Sequence, residues 1–378
     1  MSYNEGHERG KEGMRMRTKE AAFTIIRPGF GAELQHLGRP GLRAQGMPAG
    51  GAMDAVSLQT ANLLCGNSRG APALELALGG VRMRVDAPDG VLAAICGADM
   101  PADLDGVPVP AGRAVWLPAG GTLSLGAARS GCRAYLAAAG GLAAPGAAAC
   151  GAAGGDERAG IGRRLAAGEA LRRGEPSARG AALLAALAQR AAQAGGGGRL
   201  PAAAPWLAPR LVARGGADGS GTAVLRAVPG AAYGQLTQAA RERLWRERLA
   251  ASPASDRMGV RLIPDAHPIE LERRAELRSH GVLPGAVQLP PGGHPVALAA
   301  GCQTTGGYPV ILHVIAADLP RLGQLRPGDG TRFLRVELEE AQRLLLRQQR
   351  ELDRLEAALR LRTERFLQEQ RRAPAADS

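Results

Sequence analysis

Lysine is almost absent from this 378-residue chain, with Lys11 and Lys19 the only two. The formal charge of +12 is therefore carried by arginine, much of it scattered between Arg27 and Arg372 with acidic residues among them. A nucleic-acid surface concentrates its basic residues and interleaves aromatics, yet aromatics make up only 3% here. Nucleic-acid binding is not expected. Cysteine is scarce too: Cys65, Cys96, Cys132, Cys150 and Cys302 are far apart and form no CxxC pair. That pattern argues against both a zinc site and a disulfide framework, and Cys96 and Cys132 read as small core residues within apolar runs. His36, His267, His280, His294 and His313 show no ligand spacing, so no metal site is expected. No stretch of about 18 strongly apolar residues appears, and the polar start MSYNEGHERGKEGMRMRTKEAA has no apolar core of a secretory signal. The expectation is a cytoplasmic protein without membrane contact. Neither a P-loop nor a GxGxxG opening a helix is present, so nucleotide binding by either route is not expected.

What is abundant is the short apolar run. LELALG, VRMRV, VLAAIC, AVWLP, TLSLG and CRAYLAAAGG follow one another between Leu74 and Gly141, punctuated by turn residues. AVLRAV, MGVRLI, AVQLP, HPVALAAG, PVILHVIAA and TRFLRVEL repeat that rhythm after Val224. Short strands at even spacing with turn residues between them predict barrels or sandwiches. The expected organisation is a disordered tail over 1–21, a first β unit over 22–176, an Ala/Gly/Pro-rich linker over 177–222 with one helix, and a second β unit over 223–337. From 338 to 378 the texture changes. Leu338, Ala341, Leu345, Leu352, Leu355, Leu359 and Phe366 recur at three- and four-residue spacing in a charged background, which predicts a long amphipathic helix interrupted at Gln348 and Arg362.

Three polar stretches stand out from this apolar background. GRPGLRAQGMPAGGAMD (Gly38 to Asp54) is too long for a mere connector and leads into a short buried helix. Asp54 is placed either to cap that helix or to serve a site. SDRMGVRL (Ser255 to Leu262) puts Asp256 beside Arg257, a pair that could simply fix a loop. QTTGGYP (Gln303 to Pro309) lies between two strand-like runs, as a hairpin turn or as a ligand-facing segment.

Taken with Ala61-Asn62, Gly66-Asn67 and QLRPGD (Gln324 to Asp329), these motifs, in this order, resemble the biotin-dependent carboxyltransferase family. The resemblance spans about Phe23 to Val336. Members of that family include a subunit of the bacterial ATP-dependent 5-oxoprolinase, part of urea amidolyase, and a protein that antagonises an inhibitor of a sporulation kinase. The resemblance implies two cyclophilin-like β-barrels, sibling subunits of the B-like and A-like types, and ATP-driven opening of 5-oxoproline to glutamate, with ATP and Mg supplied through the complex. A lactam carbonyl is a poor electrophile, and phosphoryl transfer to it needs positive charge and hydrogen-bond donors. The candidate catalytic residues are Asp54, Arg257, Gln303 and Tyr308; Arg39, Asn62, Ser255, Asp256, Thr304, Thr305, Gly306 and Gly307 are candidates for binding substrate. Arg39 and Arg257 could each clamp a carboxylate or phosphate through two parallel bonds. The chain departs from the family at Gly151 to Gly155, where GSRST is usual, at Gly301, where Asp is usual, and at Ala231-Ala232, in place of PQ. A non-catalytic regulator binding a kinase-inhibitor-like sibling, and a biotin-dependent carboxyltransferase component acting on urea-like substrates, are the alternative functions.

Overall fold

The computed structural model describes residues 20–144, 164–194, 198–212, 221–272 and 277–372. The fold is mainly β, as expected, with one long helix at the end of the chain. In the first half two sheets enclose a common core. A seven-stranded sheet runs in the order Leu142–Ala143, Ala170–Arg173, Glu20–Pro28, Val81–Val85, Thr122–Leu125, Ala102–Leu104, Val107–Pro108. A six-stranded sheet runs Ala202–Ala203, Ala114–Leu117, Val91–Asp99, Ser130–Ala138, Ala73–Ala77, Ala32–Gln35. Phe23, Ile25, Met83, Ile95, Leu117 and Leu136 meet between them.

The two sheets differ in pattern because they differ in covering. VRMRV alternates, burying Val81, Met83 and Val85 while Arg82 and Arg84 face solvent, as a strand covered on one side should. Val91–Asp99 and Ser130–Ala138 are buried almost throughout, because helices cover the outer face of their sheet. These are α1 (Ala55–Leu64) and α2 (Ala178–Gln193), whose apolar residues join Leu92, Trp116 and Tyr135 in a second core. Asp54 caps α1 by accepting from Ser57 N at 2.9 Å, and Ser177 caps α2 by accepting from Gly180 N at 3.1 Å. Asp105 and Gly106 turn the hairpin between Ala102–Leu104 and Val107–Pro108, both at positive φ (49° and 85°), where Asp-Gly is favoured.

The second half is a closed seven-stranded barrel: Ala223–Pro229, Val310–Val314, Ala286–Gln288, Val296–Leu298, Gly259–Pro264, Leu249–Ala251, Gly330–Arg335 and back to the start. Two short helices attend it, α3 (Gln238–Leu244) and α4 (Leu319–Gly323). QTTGGYP is not a hairpin turn. The strands on either side of it, Val296–Leu298 and Val310–Val314, are separated by Ala286–Gln288, so the segment crosses the barrel rim. On the way Thr305–Gly306 pairs with His280–Gly281.

α5 (Leu338–Arg372) straps the halves together. Gln348, which breaks its apolar stripe, donates to Ala317 O of the second half at 3.1 Å. Further on, Leu355, Leu359 and Phe366 enter the second core of the first half, and Arg69 binds Asp353 and Glu356 at 2.8 and 2.6 Å. The stripe is buried only from Leu352 onward; Leu338 is largely exposed. No helix among the described residues is long and apolar enough to cross a membrane.

Candidate functional site

The register of the six-stranded sheet creates an unusual row. Glu33 lies opposite Glu75, Glu75 opposite Tyr135, and Tyr135 opposite Cys96. Cross-strand partners share a face, so two carboxylates stand side by side, and like charges in that position repel. The second half resolves the conflict with Arg257. Its guanidinium pairs with Glu75, lies 3.4 Å from Glu33 Oε2, and donates to Gly51 O. Glu75 also accepts from Tyr135 Oη at 2.7 Å and Met53 N at 3.0 Å, with Arg133 Nε at 3.5 Å. Burial would raise the Glu75 pKa, but Arg257 and Arg133, with the Met53 and Tyr135 bonds, outweigh it and hold the carboxyl below its ordinary value.

Gln324, the first residue of QLRPGD, closes the other end of this seam. Its Oε1 accepts from Cys132 N and Arg133 N, both at 3.0 Å. Its Nε2 donates to Arg133 O at 2.9 Å and Asp54 Oδ2 at 2.7 Å. Asp54 is fully buried and its backbone N donates to Tyr135 Oη at 2.7 Å. Burial pushes the Asp54 carboxyl up, against the bonds from Ser57 and Gln324. Here the seam borders a cavity of about 570 Å³ whose wall includes Asp54, Thr60, Cys96, Arg210 and Gln324. Arg326, two residues on, reaches Arg129 O across the junction at 3.0 Å.

The loop from Gly38 to Asp54 and the segment from Gln303 to Tyr308 adjoin. Arg43 crosses from the first half, donating to Val282 O and, at 3.3 Å, to Gln303 O. Gln303 Nε2 in turn donates to Gln288 Oε1 at 3.4 Å, Thr304 O accepts from Val282 N at 3.0 Å, and Tyr308 stands half-exposed at this rim. Gly307 approaches the Leu277 backbone, where a Cβ would come to 3.2 Å from its carbonyl oxygen. Gly306 faces Gln288 more tightly, since a Cβ there would lie 2.5 Å from Gln288 Nε2. Gly306→Ala is therefore expected to cost about 1–3 kcal/mol through overpacking, read as a lowered denaturation midpoint; an unchanged midpoint would show that Gln288 has room to move.

The other candidates are engaged locally. Arg39 is buried and donates to Pro48 O at 3.2 Å, bracing its own loop. Asn62 holds Ala71 O at 2.7 Å and accepts from Asn67 at 3.0 Å, fastening the segment that follows α1. Ser255 Oγ accepts from Arg261 N at 3.1 Å, and Asp256 Oδ1 accepts from Met258 N at 2.8 Å and Gly259 N at 3.1 Å. Those bonds shape the turn that delivers Arg257. The Asp256–Arg257 pair considered from sequence does not form, because Arg257 points across the junction to Glu75. Of the departures from the family motifs, Gly301 donates to Arg257 O at 2.8 Å. Ala232 is buried and donates to Val310 O at 2.9 Å. Gly151 to Gly155 lie outside the described residues.

Sequence reasoning missed Glu33, Glu75, Arg133 and Tyr135, which meet only through strand register. Gln324 and Arg43 were within reach, since both sit in motifs that had drawn notice. Gln288 carried one signal, a lone amide in the apolar run AVQLP.

Fold and seam together define a two-part β protein whose halves are joined through buried charges. Residues 45–335 match the family model described as carboxyltransferase domain, subdomain A and B, and the chain belongs to that family. It is 35% identical over 337 residues to the C-type 5-oxoprolinase subunit of Escherichia coli (strain K12), covering 88% of this chain and 96% of that one. It is 32% identical over 324 residues to the subunit of the same type from Haemophilus influenzae, covering 86% and 94%. Among solved structures, Kluyveromyces lactis urea amidolyase superposes with a TM-score of 0.72 at 23% identity, over 89% of this chain and 20% of that one. That last likeness concerns the fold.

Proposed function

We propose that this chain is one subunit of an ATP-dependent 5-oxoprolinase, opening the lactam of 5-oxoproline to glutamate together with B-like and A-like sibling subunits in the cytoplasm. The observation that carries the reading is the extent of the match. The chain aligns with 96% of the E. coli 5-oxoprolinase subunit, whereas the likeness to urea amidolyase covers a fifth of that protein. The polar rim formed by Gln303, Thr304 and Tyr308 beside Arg43 suits an amide-bearing carboxylate, because it presents neutral hydrogen-bonding groups next to a cation. Among the described residues no group of three His, Cys, Asp or Glu side chains is placed to hold a metal, and the sequence has no P-loop. With no P-loop in this chain, the reading places Mg-ATP on a sibling subunit.

The pure chain is accordingly expected to release no glutamate from 5-oxoproline with ATP, and to support turnover once both siblings are added. Robust turnover by the chain alone would refute the divided site. No turnover in the full mixture, with transfer from carboxybiotin to urea instead, would establish the carboxyltransferase alternative. Tight binding of a sibling with neither activity would leave the regulator reading standing.

A further inference from the structure

Two buried nitrogen donors at the rim have no acceptor among the described residues: Gln288 Nε2 and Arg43 Nη1. Gln288 is 2% exposed. A buried donor without a partner is costly, and native structures leave few of them. Val282 O and Gln303 O receive Arg43 Nη2, and Gln288 Oε1 receives Gln303 Nε2. The thiol of Cys302, hydrogen-bonded to the Arg43 side chain, is a weak acceptor. Gln303 thus links the two groups, its backbone to Arg43 and its side chain to Gln288.

The local backbone is shaped around Gln288. The pairing of Ala286–Gln288 with Val310–Val314 slips between Val287 and Gln288, so that Gln288 faces Val310 and Ile311 is skipped. A bulge of this kind re-aims a side chain. Gly306 supplies the clearance, for any Cβ there would collide with the Gln288 amide. An arginine brought from the other half and a re-aimed amide, each with a buried donor lacking a partner and both bonded to Gln303, have the form of a binding site.

The geometry points to a carboxylate-binding site in which Arg43 Nη1 and Gln288 Nε2 donate to the oxygens of a small carboxylic acid, with Gln303 between them. Arg43 demands an anion, and the amide beside it favours an oxygen acceptor over a bare halide. Under the proposed function, on which only the choice of probe rests, that acid is 5-oxoproline. Neither Arg43 nor Gln288 stood among the residues picked out from sequence.

The test is calorimetric titration of the purified chain with 5-oxoproline, and with acetate as a generic carboxylate. Arg43→Met and Gln288→Leu should each weaken binding at least about tenfold, the scale of one charge-assisted bond. Arg335→Gln, at an exposed surface pair, should leave binding unchanged. Gln288→Leu removes an unpaired buried donor together with the long 3.4 Å bond from Gln303 Nε2, so its melting temperature should change little, whereas an amide serving only the fold would lower it. Arg43→Lys keeps the charge and guards against misfolding of the Met variant; it should bind better than Met but below the original. Binding of either probe that is unaffected by Arg43→Met and Gln288→Leu would overturn the site. Binding of neither probe by the unaltered chain would also overturn it, unless the assembled complex turns over 5-oxoproline with a KM that both variants raise. A complex inert towards 5-oxoproline, with acetate still bound through Arg43 and Gln288, would sink the proposed function and spare the site.

Discussion

Replacing Arg257 by Met is expected to destabilise the protein by about 3–5 kcal/mol, the usual cost of stranding one partner of a buried ion pair. Glu75 would keep Arg133 Nε at 3.5 Å, the Tyr135 hydroxyl and Met53 N, but would lose the cation that also separates it from Glu33. Denaturant midpoints measure the effect, and the double variant Arg257→Met/Glu75→Gln should recover part of it. The pH dependence gives a second readout. Glu75 is held below its ordinary pKa, so its contribution to stability is present above the unfolded carboxylate pKa and is lost as pH falls through the folded one. Without Arg257 burial would dominate and push Glu75 upward. The variant should then regain ground on the unaltered protein as the solution becomes more acidic. Equal stability of the two proteins at neutral pH would remove Arg257 from the junction and return it to consideration as a free anion clamp.

Phe366→Ala should cost about 3–5 kcal/mol as well, for a different reason. Phe366 is 5% exposed and meets Trp206 edge to face, ring centroids 5.6 Å apart. Its removal leaves a cavity between α5 and the first half, and the aromatic pair forfeits roughly 0.5–1.5 kcal/mol of that total. Leu361, on the exposed side of the same helix, provides the control: Leu361→Ala should stay within about 0.5 kcal/mol. Similar midpoints for the two variants would mean that α5 does not pack on the first half in solution.

Features governed by neighbours in sequence were legible beforehand. The short strand runs, the Asp54 cap and the stripe of α5 each depend on residues within a turn or two of one another. The seam depends on the opposite. Glu33, Glu75 and Tyr135 are dozens of residues apart and become neighbours only once three strands take their register. Read singly, each looks like an ordinary polar residue in a strand. QTTGGYP looked like a hairpin because apolar runs flank it, yet those runs pair with a third strand that lies between them. Gln288 was hidden by a slip of one residue that periodicity does not show. α3 and α4 are seven and five residues long, too short for a helical period to declare itself.

The barrel closes by pairing its first strand, Ala223–Pro229, in parallel with its last, Gly330–Arg335. Thr331 Oγ1 donates to Ala223 O at 2.9 Å across 108 residues of chain. During synthesis the first of these strands therefore waits with an open edge while the intervening chain is made, about 5–20 s at roughly 5–20 residues per second. Only then can it be covered, and α5 follows still later. An edge left open that long is a template for pairing with other nascent chains, so the yield of folded protein should depend on translation speed and on whatever shields that strand at the ribosome.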